Sequence, residues 1–186
     1  VIFDPGCYQD EEKRELRRQI EARKLRPVHL VNTHCHLDHV FGNKFVAETY
    51  ELPLEIHPRE LPILEGVPQA CMMFGLPLPE PSPAPGVMLK EGETLRFGQT
   101  ELEMILAPGH SPGSLCFYSR EDGFLIAGDV LFYGSIGRTD LPLGDHDTLI
   151  RSIKEQLMPL DDEVVVWPGH GPQTTIGFER ANNPFL

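Results

Sequence analysis

Short apolar runs alternate with stretches of helical periodicity along the chain, and this alternation restricts the folds that are open to it. Residues 28–32 predict a buried strand, and Thr100–Leu106, which alternates apolar with polar side chains, predicts a half-buried strand. Residues 11–24 predict a helix, and residues 150–157 repeat apolar side chains at the spacing of one helix face. Interleaved strands and helices are typical of a layered α/β fold, which is the fold class that we expect.

The chain length is sufficient for one domain. Its 186 residues are enough to bury a sizeable core, and no run approaches the roughly 18 apolar residues of a membrane helix. Residues 76–85 are rich in proline, which predicts a surface excursion rather than a domain boundary. Residues 164–167 predict the last strand. We therefore expect a single domain over residues 1–186 and no membrane partner.

Charge and cysteine usage exclude some partners and compartments. The 16 lysines and arginines are outnumbered by 28 aspartates and glutamates, which gives a net charge of −12. Because such a surface repels a phosphate backbone, nucleic acid is not an expected partner. The four cysteines form no CxxC pair, which is typical of reduced thiols, so we expect a cytoplasmic protein.

A histidine-rich loop follows the strand predicted at residues 28–32 and reads Thr-His-Cys-His-Leu-Asp-His. His34 and His36 are two residues apart, so in extended backbone their side chains point the same way and can grip one metal ion. Asp38 and His39 follow where the chain turns toward a helix, and these positions can face a second ion. Imidazole and carboxylate groups are ligands for zinc, iron or manganese rather than calcium.

Three later loops repeat this theme, because each places one ligand-type residue after a predicted strand. These residues are His110, Asp129 and His170. In an open α/β sheet, sites collect beyond one set of strand ends, so loops that are far apart in sequence can meet there. The sequence therefore predicts five histidines and two aspartates that can hold two ions and leave positions open for water.

Other candidate ligands have simpler interpretations. His29 and His57 are expected to be packing or surface residues, since a lone histidine is seldom a ligand. His146 is expected at a helix start, with a role in contacting substrate or supporting a ligand as the alternative. The side chain of Cys35 should point away from its two histidine neighbours, so packing is favoured over a role as a soft ligand.

The motif His34-x-His36-x-Asp38-His39, followed by His110, Asp129 and His170, resembles the metallo-β-lactamase-fold hydrolase superfamily over essentially the whole chain. It is most similar to the short members of the glyoxalase II-like (hydroxyacylglutathione hydrolase-like) branch, to which residues 129–140 and 169–174 also correspond. The resemblance implies an αβ/βα four-layer sandwich, in which two mixed β-sheets are flanked by helices.

The same resemblance implies a dinuclear centre of two divalent metal ions, with zinc favoured and iron or manganese as alternatives. One ion would be bound by His34, His36 and His110, and the other by Asp38, His39 and His170. Asp129 would bridge the two ions. Two departures from the family are expected: its first strands are absent before Val1, and no C-terminal helical glutathione-binding domain follows Leu186.

The implied activity is hydrolysis of a thioester, such as an acyl-glutathione, by a hydroxide that bridges the metals, with Asp38 and Asp129 as catalytic residues. A thioester is suitable because its thiolate, from a thiol of pKa about 8.5, leaves without an obligatory general acid. Arg138 is a candidate to bind a carboxylate of this small-molecule substrate; its alternative is a surface ion pair with Asp140.

The sequence is also compatible with three competing functions. Persulfide dioxygenases look similar but use one iron, which here would be bound by His34, His110 and Asp129. Other hydrolases of this fold act on lactones or β-lactams. A non-catalytic metal-binding protein is the third alternative.

Overall fold

Two units, Val1–Leu89 and Lys90–Leu186, each have a β-sheet and an apolar core of their own. The structure is a computed structural model that describes residues 1–186. The single domain expected over residues 1–186 stays a prediction.

The first unit contains a four-stranded sheet in the order β1-β2-β3-β4, and every pairing in it is parallel. Its strands are β1 (Ile2–Phe3), β2 (Leu30–Val31), β3 (Leu54–Ile56) and β4 (Pro85–Met88). Its helices are α1 (Asp10–Ala22), α2 (Leu37–Val40), α3 (Asn43–Tyr50), α4 (Leu61–Glu65) and α5 (Val67–Phe74), with a 3₁₀ turn at Pro58–Glu60. Parallel neighbours need a crossover that returns the chain to the same edge, and these helices provide it.

The core of the first unit joins the sheet to the helices around the histidine-rich loop. Leu30 and Leu54 from the strands pack in one buried cluster with Val40 of α2 and Val46 of α3.

The predicted helix over residues 11–24 is α1, which starts one residue earlier because Gln9 caps it. The Glu12 carboxylate accepts a hydrogen bond from the Gln9 N–H at 2.7 Å.

The proline-rich segment runs over the surface of the first unit, as expected for residues 76–85. The hydroxyl of Tyr8 donates to the Pro77 carbonyl oxygen at 3.3 Å, which fixes its first part. Just before it, α5 leaves Met72 and Met73 exposed to solvent.

The second unit contains a six-stranded sheet in the order β12-β11-β8-β7-β6-β5. Its strands are β5 (Thr94–Phe97), β6 (Thr100–Leu106), β7 (Leu115–Ser119), β8 (Phe124–Gly128), β11 (Val165–Pro168) and β12 (Thr174–Thr175). This sheet is mixed, because β11 pairs with β8 in parallel and the other neighbours are antiparallel. A separate hairpin pairs β9 (Leu131–Phe132) with β10 (Ser135–Ile136).

The helices of the second unit are α6 (His146–Ser152), continued by a π-helical turn at Ile153–Leu157, and α7 (Ile176–Asn182). Ile153 and Leu157 lie in one buried cluster with Leu125 and Val166 of the sheet, and the partly buried Ile150 packs against that cluster. This confirms the helix face predicted at residues 150–157.

The prediction that residues 164–167 form the last strand is wrong, because β12 and α7 follow β11. A strand of two residues is too short to show the alternation that identifies strands in a sequence. None of the helices combines the length and the apolar character that crossing a membrane requires.

Candidate metal centre

The histidine-rich loop of the first unit connects β2 to α2. The backbone at His36 is extended, with φ −67° and ψ 161°, and α2 begins at the next residue. Because the chain changes there from extended to helical, His34 and His36 precede the helix while Asp38 and His39 lie in its first turn.

The side chains of this loop form a compact cluster. The ring centroids of His34 and His36 are 4.9 Å apart in an edge-to-face contact, so the two side chains face the same side as expected. The centroids of His34 and His39 are 4.0 Å apart. The half-exposed Asp38 carboxylate lies 3.7 Å from His39 Nε2. Within the first unit, the structure thus brings together all four predicted ligands.

Asp4 is a member of this cluster that the sequence analysis did not identify. It follows β1, beside β2 in the sheet, and its carboxylate accepts hydrogen bonds from the Thr33 N–H at 2.7 Å and the Thr33 hydroxyl at 2.6 Å. Its Oδ2 lies 3.1 Å from His39 Nδ1. The ligand-type atoms of Asp4, His34 and His39 all lie within 4.8 Å of one another. A carboxylate in this position can orient the His39 ring and leave Nε2 to bind a metal.

Buried polar side chains fix the backbone of the loop. The Asn32 amide donates to the His39 carbonyl at 2.9 Å, and the Asn43 amide donates to Asn32 Oδ1 at 2.7 Å. The Glu60 carboxylate accepts from the Cys35 N–H at 2.8 Å. The Cys35 side chain lies in the apolar core, as expected, and burial raises the pKa of its thiol well above the ordinary value.

The second unit has its own cluster at one edge of its sheet. His110 follows β6, Asp129 follows β8 and His170 follows β11. Asp129 Oδ2 lies 3.7 Å from His110 Nε2 and 3.5 Å from His170 Nε2. The side chain of His110 is buried, whereas that of His170 is 57% exposed, so this cluster is open to solvent on one side. Two of the three predicted ligands of the second unit, His110 and His170, therefore converge on a carboxylate oxygen of the third.

The backbone of residues 137–138 orients His110. The Arg138 carbonyl oxygen lies 2.7 Å from His110 Nδ1. Since a carbonyl can only accept, Nδ1 is the donor, which leaves Nε2, on the side of Asp129, as the ring nitrogen that a metal can use. Gly137 makes this approach possible, because a Cβ there would lie 1.9 Å from the Asp129 carbonyl oxygen and 3.0 Å from the His110 ring.

The Arg138 side chain forms the surface ion pair that was one of its two interpretations. Its Nε and one terminal nitrogen each lie 2.7 Å from an oxygen of Asp140, and both side chains are exposed. The Arg138 guanidinium lowers the pKa of the Asp140 carboxyl to about 2. The role of Arg138 in substrate binding stays a prediction.

The remaining histidines lie where simpler roles predict. His29 Nδ1 is 2.7 Å from the Glu55 carboxylate, in a hydrogen bond within the first unit. His57 Nδ1 accepts a hydrogen bond from the Arg59 N–H at 3.2 Å and caps the 3₁₀ turn. His146 is the first residue of α6.

Both clusters suit a divalent metal. Each combines imidazole nitrogens with carboxylate oxygens, which is the donor set that binds zinc, iron and manganese in proteins. The assembly of all seven predicted ligands into one dinuclear centre stays a prediction.

The chain belongs to the metallo-β-lactamase superfamily, whose family model matches residues 1–170. Members of this superfamily bind divalent metal ions, and the protein is accordingly a metal-dependent hydrolase by class. The resemblance noted in the sequence is thereby confirmed.

Two bacterial relatives match the whole chain. Hydroxyacylglutathione hydrolase GloC of Haemophilus influenzae is 38% identical over 187 residues, which span 100% of this chain and 86% of that protein. The probable metallo-hydrolase YqgX of Bacillus subtilis is 37% identical over 188 residues, with the same coverage of 100% and 86%.

Solved structures confirm the predicted fold class. BLEG-1, a B3 metallo-β-lactamase, superposes with a TM-score of 0.90 at 37% identity, over 100% of this chain and 88% of that chain. TTHA1623 in a di-iron-bound form superposes with a TM-score of 0.88 at 39% identity, over 100% and 89%. The fold is α/β of the metallo-β-lactamase type. The sheet of the second unit is mixed, as the resemblance implied, whereas that of the first unit is wholly parallel because helices connect its successive strands.

Proposed function

We propose that the protein hydrolyses a thioester, such as an acyl-glutathione, at a centre of two divalent metal ions. His34, His36 and His110 would bind one ion, and Asp38, His39 and His170 the other, with Asp129 between them. The observation that carries this proposal is the position of Asp129, whose Oδ2 lies within 3.7 Å of two imidazole nitrogens. A carboxylate oxygen flanked in this way suits a bridging ligand.

Zinc is the metal that we favour, because imidazole and carboxylate ligands bind it readily. Iron and manganese are the alternatives, since the same ligands bind all three metals and availability then decides. The di-iron form of TTHA1623 makes iron a concrete alternative. When bound, two such ions lower the pKa of a shared water from about 15.7 toward roughly 7 and polarise a carbonyl group.

The side chains of the protein orient the attacking water and accept protons, and none of them is the nucleophile. Asp129 and Asp38 are the carboxylates that we assign to orient the attacking water. No cysteine is suited to attack, because burial raises the pKa of all four thiols, that of Cys116 to about 12. His110 is held as the Nδ1–H tautomer by the Arg138 carbonyl, so it is suited to binding a metal through Nε2.

A thioester matches this set of residues better than an amide does. Its thiolate leaves unassisted, because the conjugate thiol has a pKa of about 8.5, whereas an amide nitrogen must be protonated as it leaves. The 38% sequence identity with the hydroxyacylglutathione hydrolase GloC supports glutathione as the thiol that leaves. We assign Arg138 to bind a carboxylate of the substrate. This carboxylate can replace that of Asp140 as the partner of the exposed guanidinium.

Hydrolysis of a β-lactam is the second candidate, because the B3 metallo-β-lactamase BLEG-1 is 37% identical over the whole chain. The two candidates share the metal centre and differ in the bond that is cleaved. Comparing rates on the two substrate types separates them.

The test is hydrolysis by the zinc-loaded protein of an acyl-glutathione thioester and of a chromogenic cephalosporin, with bound metal measured by elemental analysis. We expect two metal ions per chain and thioester hydrolysis that Asp129→Ala abolishes. The exposed Asp161 provides a matched control, and Asp161→Ala should retain full activity. Thioester hydrolysis that survives in Asp129→Ala, or its absence in the fully loaded wild type, would refute the proposal.

A further inference from the structure

A fully buried carboxylate in α7 has no place in the chemistry described above. Glu179 is 0% exposed. Its oxygens accept hydrogen bonds from the Gly134 N–H at 3.1 Å, the Thr174 hydroxyl at 2.5 Å and the Asn183 amide at 2.7 Å. Every partner is a donor, so Glu179 acts as an acceptor throughout. Burial of a carboxylate is costly unless it is hydrogen-bonded in this way, which makes its position specific.

Glu179 and its neighbours hold the β9–β10 hairpin against α7. Gly134 lies in the turn of that hairpin, with φ 61°, and donates its N–H to Glu179. The Asn183 amide also donates to the Ser135 carbonyl at 3.0 Å. The ring of Tyr133 stacks on that of Phe178 in α7, with centroids 4.8 Å apart. Three consecutive residues, two in the turn and the first of β10, therefore contact one helical segment.

Both ends of this hairpin lead to the metal cluster of the second unit. β9 begins two residues after Asp129, and β10 ends directly before Gly137. Gly137 donates its N–H to the Val130 carbonyl at 3.4 Å and packs against the Asp129 backbone. The next residue provides the carbonyl that accepts from His110 Nδ1. A shift of the hairpin turn would thus change the orientation of two predicted ligands.

We propose that Glu179 is a positioning residue of the metal centre. It fixes the hairpin that holds the Arg138 carbonyl against His110 and sets the backbone beside Asp129. The inference rests on the metal-binding part of the proposed function, but not on the identity of the substrate. Partners that orient metal ligands typically change metal affinity by about 10-fold to 100-fold when they are removed.

The substitution Glu179→Gln tests this proposal with little change in shape. An amide replaces one acceptor oxygen with a donor, so at least one of the three donors that face it loses its partner. We expect zinc affinity, measured by competition with a chromophoric chelator, to fall by roughly tenfold or more. Glu163 is exposed in the same unit, and Glu163→Gln should leave the affinity unchanged.

A second measurement separates positioning from a general loss of stability. In the metal-free protein, long-range ¹H–¹⁵N spectra report which ring nitrogen of each histidine is protonated, and His110→Gln identifies the His110 signals. The wild type and Glu163→Gln should show His110 as the Nδ1–H form. Glu179→Gln should show a mixture of tautomers, because the Arg138 carbonyl is no longer held in place.

Asn183→Ala provides a test if Glu179→Gln does not fold, because it removes the bond to Ser135 and only one of the donors to Glu179. It should lower zinc affinity by a smaller factor in the same direction. Wild-type affinity and an unmixed His110 tautomer in a folded variant would overturn the proposal. So would unfolding of both variants, since Glu179 would then hold the whole unit rather than the hairpin. Thioester hydrolysis is not a readout here, so a failed substrate assignment would leave these results interpretable.

Discussion

Gly137→Ala is the substitution for which the structure gives the sharpest expectation. An added Cβ would lie 1.9 Å from the Asp129 carbonyl oxygen and 3.0 Å from the His110 ring. Since optimal non-bonded separations are about 3.5 Å, the backbone at residue 137 must retreat by more than about 1 Å. Neither neighbour can give way easily, because one is backbone and the other is a buried ring.

The energetic and functional costs follow from that displacement. Overpacking of this kind lowers the free energy of unfolding by about 1–3 kcal/mol. A loss of about 2 kcal/mol lowers the Tm of a chain of this size by roughly 4–8 °C. A misplacement of about 1 Å at a reacting centre reduces the rate on the order of 100-fold. Zinc affinity should fall as well, because the Arg138 carbonyl moves away from His110.

Differential scanning calorimetry and chelator competition measure the two effects, and Gly98→Ala is the matched control. Gly98 has φ 59° and no heavy atom within 4 Å of an added Cβ. Alanine there costs about 1–2 kcal/mol through left-handed backbone strain alone. We therefore expect both variants to lose stability, but only Gly137→Ala to lose zinc affinity. Equal zinc affinity in the two variants would refute the reasoning.

Three further predictions concern single side chains. Leu143→Asn should raise the free energy of unfolding by about 0.5–1 kcal/mol in thermal denaturation, because Leu143 is exposed at φ 66°, a conformation that asparagine tolerates better. Asp4→Asn should weaken zinc binding by roughly tenfold or more in chelator competition, because the amide is a poorer partner for His39 Nδ1. Arg138→Gln should return the pKa of Asp140 from about 2 toward its usual range in a carboxyl ¹³C NMR titration. Because that pKa is lowered in the folded state, the stabilisation by the pair is complete above pH about 4 and is lost as the pH falls toward 2.

Each of these three predictions has a control variant or a result that would contradict it. Leu78→Asn changes an equally exposed leucine without left-handed backbone, so a similar gain there would contradict the strain argument. Asp161→Asn should bind zinc normally, and an equal loss in that variant would remove the special role of Asp4. An unchanged Asp140 titration in Arg138→Gln would show that the guanidinium is not the cause of the low pKa.

The sequence could indicate which ligand-type residues of the second unit lie near one another, because each is in the loop that follows a strand. His110, Asp129 and His170 come after three strands that end at the same edge of one sheet, and the apolar runs of these strands are visible in the sequence. Asp4 follows the same rule but was missed, because Asp-Pro-Gly is also a common turn signal and β1 is only two residues long.

Glu179 could not have been found in the same way. A single glutamate in a short helix is normally a solvated residue, and nothing near it in sequence suggests burial. Its partner Gly134 is 45 residues away, and the two meet only because α7 packs beside the hairpin. Contacts of this kind depend on tertiary packing, which local periodicity does not encode.

Because some methionines are exposed and three cysteines are buried, an oxidant reaches these sulfur atoms in a definite order. Met72 and Met73 are 71% and 64% exposed on α5, whereas Cys35, Cys71 and Cys116 are buried and hold thiols of raised pKa. Thioethers at the surface should therefore react with peroxide before these thiols do, and they yield a sulfoxide that reductases can reverse. The first oxidative damage should thus fall on a repairable outer helix and spare the interior.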